Sequence, residues 1–190
     1  MSLVLRAGTQ RDAAHIARLA DVAGEGLPGA YWTDIGMTGQ DPLKLGQERA
    51  ARDDGVFTWR HVIMAEVDDE IAGMILTHPT NDAPFAFDET VHPLFRPFVR
   101  LINAARYATS VNLLGVYPNY RRRKVATALV EEVEEASFAR GTATLLVSDA
   151  NAVGQEFCKS LSYGVADQAP VVKGGWETSA SRWQLFRKTA

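Results

Sequence analysis

Sulfur chemistry is almost absent from this chain. Cys158 is the one cysteine among 190 residues, which excludes an internal disulfide and any thiolate metal cluster and suits a reducing cytosol. Long hydrophobic runs are missing too: no uninterrupted apolar stretch approaches the ~20 residues a membrane-spanning helix needs. The N-terminus, MSLVLRAGTQ, has neither the charged nor the apolar region of a secretory signal. The expected address is therefore cytoplasmic, with no membrane partner. Nor is there an excess of positive charge. The formal net charge is −3, whereas a general nucleic-acid binder would be basic over a whole face, so no nucleic-acid partner is expected. His15, His61 and His92 show no metal-ligand spacing, and no metal is expected. Internal repeats, low-complexity tracts and dividing linkers are likewise missing, so residues 1–190 are expected to form a single domain. With 46% hydrophobic and 23% charged residues, the chain can bury a core without disulfides or metal.

What is present reads as alternating strands and helices. LVLRAG (3–8) is a short strand, followed by a capping-box-like pair, Thr9 and Asp12, and a helical stripe of Ile16, Leu19, Ala20 and Ala23. Gly24, Gly26, Pro28 and Gly29 break that helix. The next helix starts at Asp41 and Pro42 and runs to about Arg52. VIMAEVDDEIAGMILTHP (62–79) reads as two strands around a tight turn at Asp68 and Asp69. Residues 79–88 form a loop and 91–107 a helix. A strand spans 110–118, and Gly141 closes the helix that follows it. A central strand at 143–149, a short helix at 151–164 and two late strands, near 164–172 and 180–188, complete the chain. Hairpin strands early and strand–helix–strand later predict one α/β domain on a mixed sheet.

One stretch raises a question. In YPNYRRRKVATALVEEVEEA (117–136), Arg121, Arg122, Arg123 and Lys124 lie where a helix starts, although that end of a helix carries roughly half a positive charge. Val125, Leu129, Val130, Val133 and Ala136 share one face of this helix, and Glu131, Glu132, Glu134 and Glu135 lie mostly on the other. Either the four cations are solvated, or an anion belongs among them.

LLGVYPNYRRRKVATALVEEVEE resembles the acetyl-CoA-binding core of the GNAT superfamily of N-acetyltransferases, in which a strand ending V-x-P-x-x-R-G-x-G-x-G/A leads into a helix. Val116, Pro118, Tyr120, Arg121, Arg123, Ala126 and Leu129 fall on that pattern. NAVGQEFCKSLSY matches the second signature more loosely, through Asn151, Phe157, Leu161 and Tyr163, and MAEVDDEIAGMIL resembles the second and third strands of the family. The resemblance implies the GNAT fold, a central mixed sheet flanked by helices, and acetyl transfer from acetyl-CoA as cosubstrate. The acceptor it implies is a primary amine of a small molecule or peptide, and it allows a homodimer. Another reading, an acyl-CoA-binding sensor with little catalysis, stays open.

By resemblance, the donor is held by Leu114 and Val116, by Arg121, Arg122, Arg123, Lys124, Val125, Ala126 and Thr127, and by Asn151. Arg122 and Lys124 stand where the family normally has glycine. If either position needs a positive φ, a side chain there costs roughly 1–2 kcal/mol. Some members carry a glutamate base where Ser110 stands, and the family's tyrosine acid falls on Cys158. Cys158 is then either a thiol acid or a small buried filler. Glu66 is either a base facing the site or a paired strand carboxylate. Tyr163 falls on an aromatic packing position. Trp32, Phe57, Trp59, Phe85 and Phe87 lie in the segments that shape the acceptor pocket in the family, and serve there or as core. His78 ends its strand, lining an acceptor channel or at the surface. Asp82, Asp88 and Glu89 attract a cationic amine or are exposed loop acids.

Overall fold

In a computed structural model of the chain, residues 2–79, 84–105, 108–138 and 142–189 are described. Seven strands form one mixed sheet flanked by helices: β1 (Leu3–Ala7), β2 (Val62–Val67), β3 (Glu70–Pro79), β4 (Thr109–Val116), β5 (Thr142–Ser148), β6 (Gly164–Pro170) and β7 (Arg182–Thr189), in the order β1-β2-β3-β4-β5-β7-β6. The helices are α1 (Ala13–Ala23), α2 (Leu27–Ile35), α3 (Pro42–Ala50), α4 (Arg96–Ala104), α5 (Val125–Phe138) and α6 (Ala152–Ser160). The chain divides into two compact units, Met1–Thr77 with Leu113–Glu132 and His78–Asn112 with Val133–Ala190.

In the first unit, β1 and β2 pair antiparallel, and β2 and β3 form the expected hairpin. Its turn residues Asp68 and Asp69 have φ of 51° and 67°, a left-handed pair that matches the twist of a two-residue hairpin. The capping box forms as read: the N–H and Oγ1 of Thr9 both donate to Asp12 at 2.8 Å. Arg6 then locks this corner. Its guanidinium holds the Asp12 carboxylate at 2.8 and 2.9 Å and reaches Glu66 Oε1 at 2.6 Å. Hydrogen bonding to Arg6 pulls the Asp12 pKa down to about 2 against the cost of burial. Ile16, Leu19 and Ala20 of α1 pack with Trp32, Met64, Met74 and Leu76 as the core of this unit.

α1 ends at Ala23 with Gly24 at its C-cap, where the break was read, and a further helix not read from the sequence, α2, follows from Leu27. Pro28 lies in its first turn, where a backbone N–H would have no intrahelical partner, so the one that proline lacks is not missed. The carboxylate of Asp21 accepts from Gly29 N–H at 2.8 Å, which satisfies one donor in the first turn of α2. Trp32 of α2 packs flat against Gly46 of α3, where a Cβ would come within 2.6 Å of the indole. Asp41 caps α3 by accepting from Leu43 N–H at 2.9 Å.

In the second unit, β4 pairs in parallel with β5 over Thr109–Val111 and Ala143–Leu145, and β7 lies antiparallel between β5 and β6. Phe98 of α4 meets Trp183 at 4.5 Å between ring centroids, and Trp176 stacks on Trp183 at 5.5 Å. The helix read over 91–107 is a 3₁₀ turn at Pro93–Phe95 followed by α4. Two assignments on α5 are corrected. Ala136 is exposed, and Glu134, placed with the outward-facing glutamates, is buried. Both of its carboxylate oxygens accept from Lys188 Nζ at 2.9 Å, so a distant cation draws Glu134 inward. The predicted helix stop at Gly141 lies outside the described residues.

Candidate functional site

The basic stretch lies wholly in the first unit and is built from β4 outward. Tyr117, just beyond the strand, donates its N–H to Ala72 O at 2.9 Å. Its hydroxyl lies 3.0 Å from His15 Nδ1, with the two rings edge-to-face. Burial raises the Tyr117 pKa, partly offset by Arg18, so the phenol keeps its proton. Backbone and ring together anchor the start of the loop to β3 and α1. Neither contact was legible locally, since His15 is 102 positions away.

Pro118–Tyr120 form a 3₁₀ turn, and Arg121 is extended. Arg122 and Lys124 then take φ of 58° and 61°. These are the two positions where glycine was expected, and both use the left-handed region that glycine occupies freely. A β-carbon there costs roughly 1–2 kcal/mol. The cations therefore precede the helix instead of forming its first turn. The first backbone bond of α5 runs from Ala128 N–H to Lys124 O at 2.9 Å. The N–H groups of Val125, Ala126 and Thr127 lie ahead of that ladder, as the orphan donors of a helix start do. All four cations are exposed. Arg121 Nε donates to Val116 O at 3.4 Å, and the Arg123 guanidinium lies 5.7 Å from the Tyr120 ring centroid. Three donors at a helix start, preceded by four exposed cations, can hold a polyanion.

The strand leading into this loop leaves almost no room. A Cβ on Gly115 would come within 2.8 Å of Leu19 O, and one on Gly73 within 2.7 Å of Gly115 O. Leu114 and Val116, on either side of Gly115, are half-buried. Glu66, considered as a base, is the carboxylate that Arg6 holds.

Asn151 and Cys158 belong to the second unit. Asn151 caps α6, its Oδ1 accepting from Gly154 N–H at 2.8 Å. Cys158 is buried, and burial pushes its thiol pKa up to about 12. A donor for a departing thiolate should have a pKa nearer that of the thiolate, about 8.5, so packing is the role this environment suits. Tyr163 is buried, its pKa raised by burial and by Glu134. Ser110 is fully buried and donates to Asn112 Oδ1 at 2.9 Å.

His78 is buried, not at the surface, and meets Phe85 edge-to-face at 6.5 Å between ring centroids. Asn103 of α4 clamps that loop, accepting from Phe85 N–H at 2.9 Å and donating to Phe85 O at 3.0 Å. Sequence reasoning missed Asn103, because only the folded loop shows its partner. Asp88 is exposed and accepts from Thr90, which lowers its pKa. Phe87 is exposed. Trp32 and Phe57 pack together at 5.7 Å, and Trp59 lies under the Arg60 guanidinium at 4.4 Å. Asp82 lies outside the described residues. No group of three or more possible metal ligands occurs among the described residues, and none of their helices is long and apolar enough to cross a membrane.

The family described as Acetyltransferase (GNAT) matches residues 31–163. Among solved structures, an N-acetyltransferase from Staphylococcus aureus aligns with a TM-score of 0.66 at 12% identity, over 97% of this chain and 100% of that one. The PaiA N-acetyltransferase of Thermoplasma acidophilum, solved in complex with coenzyme A, aligns at 0.60 and 14% identity over 100% of both chains. The ribosomal-protein-S18-alanine N-acetyltransferase of Escherichia coli aligns at 0.57 and 13%, over 99% of this chain and 94% of that one. At these identities the structural likeness concerns the fold. A comparison with curated proteins finds no match.

Proposed function

The chain belongs to the GNAT acetyltransferase family, and we propose that it transfers an acetyl group from acetyl-CoA to a primary amine of a small molecule or peptide, by direct attack in a ternary complex. In this reading residues 1–190 act as one domain. The observation that carries it is the segment from Val116 to Ala128: a strand end, a tight cationic loop and a helix whose first N–H groups have no backbone partner among the described residues. The pyrophosphate of acetyl-CoA would sit on Val125, Ala126 and Thr127, with Arg121 to Lys124 around it. The backbone of Leu114 and Val116 would hold the pantetheine arm. The acceptor amine, in its neutral form, attacks the thioester carbon. The tetrahedral oxyanion collapses, the C–S bond breaks, the amine's proton leaves to water and the coenzyme thiolate departs.

Acetyl-CoA is expected to raise the melting temperature, because a ligand selective for the native state stabilises it. No shift at millimolar acetyl-CoA would refute donor binding. Replacing Arg121 and Arg123 together with alanine should weaken binding roughly three- to tenfold and flatten its salt dependence, as expected for exposed charges. An unchanged dissociation constant would leave these arginines as solvated surface.

Cys158→Ala is expected to lower stability by about 1 kcal/mol, the scale of a small buried deletion, while turnover changes by less than tenfold. A larger fall in kcat at unchanged acetyl-CoA affinity would make the thiol the acid.

A second reading, an acyl-CoA-binding module with little catalysis, is favoured by Arg122 and Lys124 standing where the family has glycine and by Cys158 standing where it has tyrosine. Coenzyme A release measured against an amine panel separates the two. Release stimulated by an amine supports transfer, and binding without any such release supports the module.

A further inference from the structure

The second unit carries three neutral polar side chains on one face of its sheet whose hydrogen bonding the fold leaves incomplete. Ser110 and Asn112 are two apart on β4, so their side chains leave the same face. Ser110 and Thr144 are register partners in the parallel pair of β4 and β5, on strands roughly 4.8 Å apart. The three therefore form one group. Ser110 and Thr144 are fully buried, and Asn112 is half-buried. Ser110 Oγ donates to Asn112 Oδ1 at 2.9 Å, which fixes how the amide is turned. With the amide reversed, the buried serine hydroxyl would have no acceptor among the described residues. The two Nδ2–H donors of Asn112 are left without an acceptor among the described residues, and so is the hydroxyl of Thr144. Valine would fill the place of Thr144 without an unpaired donor, so packing alone does not account for the hydroxyl. A buried donor of this kind calls for a partner that the chain itself does not supply.

The group offers N–H and O–H donors and no charge of its own. A carboxylate brought to it would lose water without gaining a counter-charge, because Arg187, the partner of Thr144 on β7, is exposed. A neutral carbonyl oxygen, with two lone pairs to place, is the complementary group. On β4 itself, Asn112 is followed on the same face by Leu114 and Val116, the residues proposed above to hold the pantetheine arm. An acceptor held at Asn112 lies further along the strand from the pyrophosphate, on the side to which the thioester end of that arm points; this step rests on that proposed function. We propose that Asn112 and Thr144 are specificity-determining residues for the acceptor, with Ser110 as the positioning residue for Asn112. The acceptor they select is a primary amine that bears a neutral carboxamide, as an amino-acid amide or a peptide N-terminus does, in preference to a plain alkylamine or an amino acid.

The test follows coenzyme A release from saturating acetyl-CoA with glycinamide, glycine and propylamine as acceptors. The full chain is compared with Asn112→Leu, Thr144→Val and Ser110→Ala. The amines differ in basicity, so the quantity read is how the ratio of kcat/KM between them changes from one protein to the next. The unaltered protein is expected to favour glycinamide over both other amines by roughly tenfold. Asn112→Leu has no donor to offer and should cut that preference by roughly tenfold. Thr144→Val keeps the shape and removes an unpaired hydroxyl, so it should melt no lower while losing part of the preference. Ser110→Ala frees the amide to turn, and should raise the KM for glycinamide more than it lowers kcat, a split that loosened packing alone would not give. A preference intact in Asn112→Leu or in Thr144→Val overturns the assignment. So does a Thr144→Val protein that melts several degrees lower, since its hydroxyl would then be paired within the protein. A preference for glycine also overturns it, by moving recognition to a cation such as Arg187. If no amine is acetylated while acetyl-CoA still raises the melting temperature, this inference falls and donor binding stands. If acetyl-CoA gives no shift, the donor reading falls with it.

Discussion

Glu134→Ala is expected to lower stability by about 2–4 kcal/mol and the melting temperature by roughly 5–15 °C. Glu134 is 8% exposed, and both oxygens of its carboxylate take hydrogen bonds from Lys188 Nζ at 2.9 Å. The ammonium also lies 5.6 Å from the centroid of the buried Tyr163 ring. Taking two ions out of water is costly, and the pair repays that cost only while both partners remain. Removing the carboxylate takes away the counter-charge to which Lys188 donates at 2.9 Å. Lys188 keeps 26% of its side-chain exposure, so it can lean toward solvent and hold the loss toward the lower end of the range. Lys188→Met should cost at least as much, because the remaining carboxylate is the more buried partner. The double change Glu134→Leu/Lys188→Met should recover most of the stability, since a well-packed apolar pair can replace a buried ion pair. Urea melts of the four proteins measure the coupling directly. A Glu134→Ala loss below about 0.5 kcal/mol would show that solvent already screens the pair.

That ion pair also marks where sequence reading stops. The glutamates of α5 look alike on a helical wheel, and the partner that draws one of them inward is 54 residues away. Signals confined to a few residues were legible: the Asp41–Pro42 helix start, the Asp68–Asp69 hairpin turn, the Thr9–Asp12 box and the apolar face formed by Val125, Leu129, Val130 and Val133. The α2 helix was not, because Pro28 and Gly29 are breakers by composition. What makes them tolerable is a carboxylate on Asp21 and a slot beside Gly46 for Trp32. The basic loop was legible as a motif because its residues are contiguous. Its backbone was not: that Arg122 and Lys124 adopt positive φ follows from how strand and helix are held, and Tyr117 with His15 and Ala72 does part of that holding.

Gly115→Ala is expected to combine a stability loss of roughly 2–3 kcal/mol with weaker acetyl-CoA binding. The new methyl would lie 2.8 Å from Leu19 O and 3.3 Å from Leu19 C and Cβ. These atoms belong to the middle of α1, where Leu19 is fully buried, so the obstacle is backbone in a packed core and has no rotamer to yield. Relief on the other side is blocked as well, because Gly115 O sits where a Cβ on Gly73 would come within 2.7 Å. Either α1 or β4 must shift by several tenths of an ångström, the kind of overpacking that costs about 1–3 kcal/mol. Gly115 also lies between Leu114 and Val116, the residues proposed to hold the pantetheine arm through their backbone. A displaced strand moves those hydrogen-bonding groups off their mark, so the acetyl-CoA dissociation constant should rise by tenfold or more. Binding is to be measured at least 15 °C below the variant's own melting temperature, so that a loss of affinity reflects strand position and not unfolding. A variant that melts several degrees lower yet binds acetyl-CoA normally would show that the strand's placement against α1 supports the fold alone. If both properties are unchanged, β4 and α1 can part without cost, and the close approach at Gly115 is not what sets the strand in place.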